Sequence, residues 1–248
     1  MKVFFAIPNM GYSDPLAYDN RLLWAMRMGA RSEREQQYNF YLGTVGKILT
    51  PAAREALAEK ALREGMDLCF MVDDDMIGDP DCFFQLAESV VNGPADLCGA
   101  LAFTRNPPHD PVLYTCLEGY DPVERKPYFL NRPVLRYQKD ALNEVDAVGF
   151  GAVVFKVSLL AKMTRPWFMT TSATGEDIFF CYKAKKEAGA RVFSDCRVKL
   201  GHVGNPMIVT EETYETMNEL KARVARDGIE RETVNYRERA TEPWQVMR

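Results

Sequence analysis

Apolar residues in this chain come in short unbroken runs, separated by stretches with helical spacing. Residues 2–7 form the first run, closed by Pro8-Asn9-Met10-Gly11, the pattern of a buried strand that runs into a loop. After a mixed helical stretch comes a second run, Asn39-Phe40-Tyr41-Leu42-Gly43-Thr44-Val45. Thr50-Pro51 then predicts a helix start, with a capping hydroxyl and a proline at the first helical position; Leu57 and Ala61 share one face, and Gly65 ends the helix. Leu68-Cys69-Phe70-Met71-Val72 shows no alternation, as expected of a strand covered on both faces in a parallel sheet. It stops abruptly at Asp73-Asp74-Asp75.

The rhythm repeats. Asp79-Pro80 predicts a helix bearing Phe83, Ala87 and Val90, stopped by Asn92-Gly93-Pro94, and a strand follows from Asp96 to Phe103. Strands alternating with helices imply an α/β fold with right-handed crossovers. Residues 104–144 break the pattern with Pro107, Pro108, Pro111, Pro122, Pro127 and Pro133, and read as long excursions over one face. Val145 to Val157 reads as a strand interrupted at Gly149-Phe150-Gly151, with Ser158 capping a short helix. A helix led by Gly175-Glu176-Asp177 runs through Ala188 to Gly189. Glu211 to Arg226 has amphipathic spacing, with Met217, Leu220 and Val224 expected inward. The tail from Asp227 is charge-mixed, with Trp244 available as an anchor.

Composition narrows the function classes. The chain has 248 residues, 47% hydrophobic and 27% charged, with a formal charge of −4, enough for a sealed core and against nucleic-acid binding by a broad basic surface. Two histidines cannot build a three-His zinc site. The six cysteines contain no C-x-x-C and sit in apolar runs, so they read as reduced core thiols. There is no apolar stretch long enough for a membrane span, and Met1 to Pro8 is too short for a signal core. A soluble, cytoplasmic protein is the expectation.

Chemistry concentrates at three places. Adjacent carboxylates at Asp73-Asp74-Asp75 repel one another at the carboxyl end of a strand, where open α/β sheets bind ligands. Mn²⁺ or Mg²⁺ bridging a diphosphate relieves that repulsion; a solvated acidic turn is the plainer alternative. Asp177 shares a helical stripe with Phe180, Cys181, Ala184 and Ala188, which aims a carboxylate at the packed side of its helix. There it can act as a general base, or Glu176 or Asp177 can simply cap the helix. His202, between Gly201 and Val203-Gly204, is either structural or a ligand completing the coordination at Asp75.

Taken in order, Ile7-Pro8-Asn9, Pro51-Ala52-Ala53-Arg54, Phe70 to Asp75, Val148-Gly149-Phe150-Gly151-Ala152, Pro166-Trp167-Phe168, Gly175-Glu176-Asp177 and Gly201-His202 resemble the nucleotide-sugar glycosyltransferases of the A-type fold, especially the family 2-like inverting group. The resemblance spans roughly residues 2–205. It implies a single-domain, Rossmann-like, mixed but mainly parallel sheet flanked by helices. Residues 1–103 would form the nucleotide-sugar half and 104–210 the acceptor and catalytic half, with 211–248 as a C-terminal helix and tail. By similarity Asp73 and Asp75 correspond to a D-x-D pair for metal and sugar diphosphate, with His202 as a further metal ligand. Pro8, Asn9, Arg54 and Asp74 would lie on the donor side, and Asp177 would be the base with Glu176 beside it. Where many relatives carry a carboxylate after the second strand, this chain has Tyr41-Leu42-Gly43-Thr44-Val45-Gly46, so the donor base is left open.

The implied reaction is a metal-dependent single displacement from a nucleotide-diphosphate sugar to a hydroxyl, with inversion. Gly149 and Gly151 would let the sugar approach, and Trp167 would stack on the acceptor unless it is core. Arg125, Lys126, Tyr128, Phe129, Arg132, Arg136 and Tyr137 interleave base and ring, which suits a glycan, a lipid-linked sugar or a hydroxylated nucleic-acid base as acceptor; a solvated loop is the alternative. The competing classes are a sugar-nucleotide pyrophosphorylase, disfavoured by the lack of a Gly-rich Arg loop at Ile7 to Tyr12, and a non-catalytic nucleotide- or carbohydrate-binding module, which needs no base.

Overall fold

The computed structural model describes residues 1–9, 14–121, 125–204 and 208–226. The chain forms two compact units, Met1–Tyr214 and Glu215–Arg248. In the first, β1 (Lys2–Asn9), α1 (Pro15–Glu35), β2 (Asn39–Gly46), α2 (Thr50–Arg63) and β3 (Leu68–Val72) build a β-α-β-α-β start. Next come β4 (Met76–Gly78), α3 (Cys82–Val91), β5 (Leu97–Leu101), β6 (Leu113–Asp121), β7 (Lys126–Pro133), β8 (Leu142–Glu144), β9 (Ala147–Val148) and β10 (Ala152–Lys156). A 3-10 turn (Val157–Lys162), α4 (Glu176–Ala188), β11 (Val192–Val203), β12 (Ile208–Val209) and α5 (Glu211–Arg226) complete the order. The expected helix at Glu211 is α5, which crosses from one unit into the other. The side chains of Leu220 and Val224, and the tail with Trp244, lie outside the described residues.

The main sheet runs β12-β11-β5-β10-β3-β1-β2. Pairs β2·β1, β1·β3 and β5·β11 are parallel, and β10 inserts antiparallel between β3 and β5. This is the α/β arrangement that the alternation implies and the mixed, mainly parallel sheet that the resemblance implies. Its parallel members end at one edge, so Asn9, Gly46 and Asp73 arrive there together.

Strand parity decides the two faces. Register pairs Phe5 with Phe70 and Phe4 with Cys69. Phe5 and Phe70 pack with Trp24 and Met28 of α1 and Phe83 and Ala87 of α3. Phe4, Cys69 and Met71 point the other way, into a core with Leu57 and Ala58 of α2 and Phe180 of α4. Both faces are covered, which is why β3 carries no polar residue along its length.

Several expectations need correction. The Pro-rich stretch is not a set of excursions: β6 and β7 form an antiparallel hairpin, and with β9 they make a second sheet in the order β7-β6-β9. Half-buried Tyr114 and Cys116 alternate with exposed Thr115 and Leu117, a strand period that the prolines hide. Pro127 and Pro133 are tolerated because β7 is an edge strand. Pro122 and the side chains of Lys126 and Tyr128 lie outside the described residues. The interrupted strand is in fact two strands in different sheets. Leu49, not Thr50, occupies the cap position of α2, with no side-chain cap bond, and Lys156 rather than Ser158 precedes the 3-10 turn. All six cysteines are free and five are buried, as their apolar neighbours imply. Among the described residues no helix is long and apolar enough to cross a membrane.

Candidate functional site

A cavity of about 360 Å³ opens at the edge where the parallel strands end. Pro8 and Asn9 from β1, Asp73-Asp74-Asp75 beyond β3, Arg54 from α2, Glu176 and Asp177 from α4, and His202 from β11 all line it. Every one of these was a candidate from the sequence. Ile48, Thr50, Ala53 and Arg105 complete the lining and were not anticipated. The available signal for Arg105 was position: it is a basic residue just past a buried strand on the same sheet edge.

The floor is a cluster of part-buried carboxylates around one buried arginine. Arg54 is 3% exposed; its Nη2 donates to Asp73 Oδ1 at 2.7 Å, and its Nε lies 3.6 Å from Glu176 Oε1. Its guanidinium stacks over Phe150, 5.0 Å from the ring centroid. Nε and Nη1 are buried without a hydrogen-bond partner. Arg54, expected beside the nucleotide, lines the base of the pocket and ties the end of β3 to the start of α4. Burial pushes the Asp73 carboxyl up to about 7; Arg54 opposes this, and the charges of Asp75, Asp177 and Glu176 add to it. Asp177 is also raised by burial, Arg54 again opposing and Glu176 reinforcing, while its Oδ1 accepts the Ile178 amide at 2.8 Å.

The rim is different. Asp75 Oδ2 lies 3.2 Å from His202 Nε2 and also pairs with the guanidinium of Arg105. Burial raises the Asp75 carboxyl, but His202 and Arg105 outweigh it and hold it below the usual range. Burial lowers the His202 imidazole, and Asp75 outweighs that, so its pKa lies above the ordinary value. His202 Nδ1 lies 2.9 Å from the Phe103 carbonyl, which only accepts, so Nδ1 carries the proton. In the neutral ring Nε2 is then an acceptor facing a carboxylate, an arrangement that needs a proton or a cation between the two. The Asp74 carbonyl accepts from Arg21 Nη1, which braces the acidic turn from α1.

The donor chemistry of Asp75 and His202 fits a divalent ion. It supplies two ligands rather than a cage: among the described residues no group of three or more His, Cys, Asp or Glu side chains converges. Asp73, also expected as a ligand, is paired with Arg54.

Three candidates fall outside the pocket. Trp167 is 3% exposed, packed in the core with its Nε1 donating to the Met163 carbonyl at 3.3 Å, so it offers no ring face to an acceptor. A Cβ at Gly149 would come within 2.9 Å of Val112, and one at Gly151 within 3.1 Å of Met76 Sδ. These glycines admit neighbouring side chains where the chain passes between the two sheets, not a sugar.

No protein-family model matches the chain, and no curated protein matches it. Solved structures do. A197 from STIV is 19% identical over 86% of this chain and 92% of that one, with a TM-score of 0.57. Apo UDP-glucose pyrophosphorylase is 9% identical over 90% and 99%, with a TM-score of 0.50. TarS 1-349 from S. aureus is 12% identical over 78% and 58%, with a TM-score of 0.43. At these identities A197 and the pyrophosphorylase show a shared α/β fold, and nothing finer.

Proposed function

We propose that this chain is a glycosyltransferase that moves a sugar from a nucleotide-diphosphate donor to an acceptor hydroxyl, with inversion and dependence on Mn²⁺ or Mg²⁺. What carries the reading is the convergence in one pocket of an acidic strand end, an Asp-led helix start and an imidazole, from elements far apart in sequence. Asp75 and His202 would hold the divalent ion, which when bound neutralises the leaving diphosphate. Asp73, fixed by Arg54, shapes the donor floor with Pro8, Asn9 and Asp74. Asp177 takes the acceptor proton. Its carboxylate is made more basic by burial, and a catalytic base works best when its pKa is drawn toward the working pH. Glu176, with Oε2 accepting from Thr170 Oγ1 at 3.3 Å, flanks that base.

The likeness to UDP-glucose pyrophosphorylase favours a second reading, nucleotidyl transfer to a sugar phosphate on the same sheet. One experiment separates the two: nucleotide sugars are screened for Mn²⁺-dependent thermal stabilisation, then for release of nucleoside diphosphate against formation of nucleoside triphosphate from added pyrophosphate. Release of the diphosphate is expected. Asp75→Ala loses donor binding, while Asp177→Asn binds donor and turns over about 10²–10⁴-fold more slowly; normal turnover by Asp177→Asn would remove it as the base. Acceptor class is tested in the same assay by offering glycans, lipid-linked sugars and hydroxymethylated nucleic acid.

A further inference from the structure

Among the described residues, Arg105 differs from the two other arginines at the pocket. Arg54 is enclosed and Arg21 is spent on a backbone carbonyl, whereas the Arg105 side chain is 51% exposed and meets Asp75 at the rim. Its backbone is nevertheless firmly placed. Thr104 N donates to the Asp110 carbonyl at 2.9 Å, His109 N to the Asn106 carbonyl at 3.1 Å, and buried His109 holds the Thr104 carbonyl through Nδ1 at 3.0 Å. The adjoining Phe103 carbonyl is the one that orients His202. One short segment thus sets both partners of Asp75, His202 part-buried and held by a backbone carbonyl, Arg105 exposed and free to leave.

We propose that Arg105 is an exchangeable counter-ion. In the ligand-free protein it neutralises Asp75; when a divalent cation takes Asp75, its guanidinium turns to the diphosphate of the donor. This rests on the reading of the pocket as a metal-assisted nucleotide-diphosphate site. A half-exposed ion pair is weak, so a cation displaces it at little cost. A planar guanidinium matches phosphate oxygens in a two-point bond, so the side chain gains a stronger partner than the one it leaves. The loop need not move, because only the side chain turns.

The test reads two affinities whose changes have opposite signs. In Arg105→Ala, Mn²⁺ alone, titrated by calorimetry without nucleotide, binds about fivefold tighter because its competitor is gone. UDP or GDP in saturating Mn²⁺ binds about tenfold weaker. Arg63→Ala, which removes an exposed charge at the far end of α2, changes neither. With Mg²⁺ as a diamagnetic probe, the Arg105 Nε–H resonance, assigned by its loss in Arg105→Ala, shifts once on adding metal and again on adding nucleotide. Unchanged or weaker Mn²⁺ binding in Arg105→Ala overturns the proposal, as does unchanged nucleotide affinity. If wild type binds Mn²⁺ and Asp75→Asn does not, such a result condemns the role of Arg105 and spares the parent reading. If wild type binds no Mn²⁺ at all, both fall.

Discussion

The floor and the rim of the pocket use the same chemistry, an aspartate of one acidic turn facing a cation, and they differ in the burial of that cation: the Arg54 side chain is 3% exposed and that of Arg105 51%, while Asp73 and Asp75 are alike at 26% and 24%. Asp73 meets Arg54 where the guanidinium is sealed under Phe150; Asp75 meets Arg105 and His202 where water reaches all three. A cation sealed from water cannot give up its partner without being left uncompensated. Charges at a wet rim trade partners readily. The floor is therefore built to stay fixed and hold two strand and helix ends in place, and the rim is built to accept a ligand. Two residues of separation along the chain decide which role each carboxylate has.

The largest effect should come from breaking the floor. Arg54→Met removes the cation shared by Asp73 and Glu176 and should lower stability by about 3–5 kcal/mol, measured by urea denaturation. A loss under about 1 kcal/mol would mean that the floor is as exchangeable as the rim.

Next is Asp177→Asn, expected to reduce turnover by about 10²–10⁴-fold with donor binding retained, read by steady-state kinetics and calorimetry. At the rim, His202→Ala should weaken Mn²⁺-dependent nucleotide binding by about tenfold while stability stays within about 1 kcal/mol of wild type. A large loss of stability there would erase the contrast.

The smallest effect is a pH dependence. Asp177 is raised above its ordinary value of 3.8 in the folded protein. The stability it contributes is complete below that value and lost as pH rises through the folded pKa, because the unfolded chain gives up this proton first. Asn cannot ionise. Asp177→Asn should therefore melt above wild type at pH 8, and the gap should close toward pH 4. A gap that widens on acidification would show that Arg54, not burial, dominates this carboxyl.

Local pattern made the first hundred residues legible, because their burial on two faces leaves an unbroken apolar run at β3 and a turn wherever it stops. It failed over residues 104–144, where β7 is an edge strand that keeps its prolines and the hairpin shows one side to solvent. The candidate site was legible to the extent that charge interrupts such runs: Asp73 to Asp75, Glu176, Asp177 and His202 stand out in sequence and meet in space. Arg105 did not stand out, since an arginine in a loop is ordinary until the loop is seen to reach Asp75. Trp167, Gly149 and Gly151 stood out for the wrong reason, because size and flexibility mark tight packing as readily as ligand contact.

The sequence by itself therefore determined the alternation of strand and helix, the edge at which the acids emerge and the residue types of the site. Those follow from local hydrophobic period and from charge placed at strand ends. Only the tertiary structure decided which cation each acid meets, that one of those cations is sealed and the other open, and that His202 is held by Phe103 from 99 residues away. Burial and pairing are properties of distant segments brought together, and those properties, more than residue type, separate a fixed floor from a working rim.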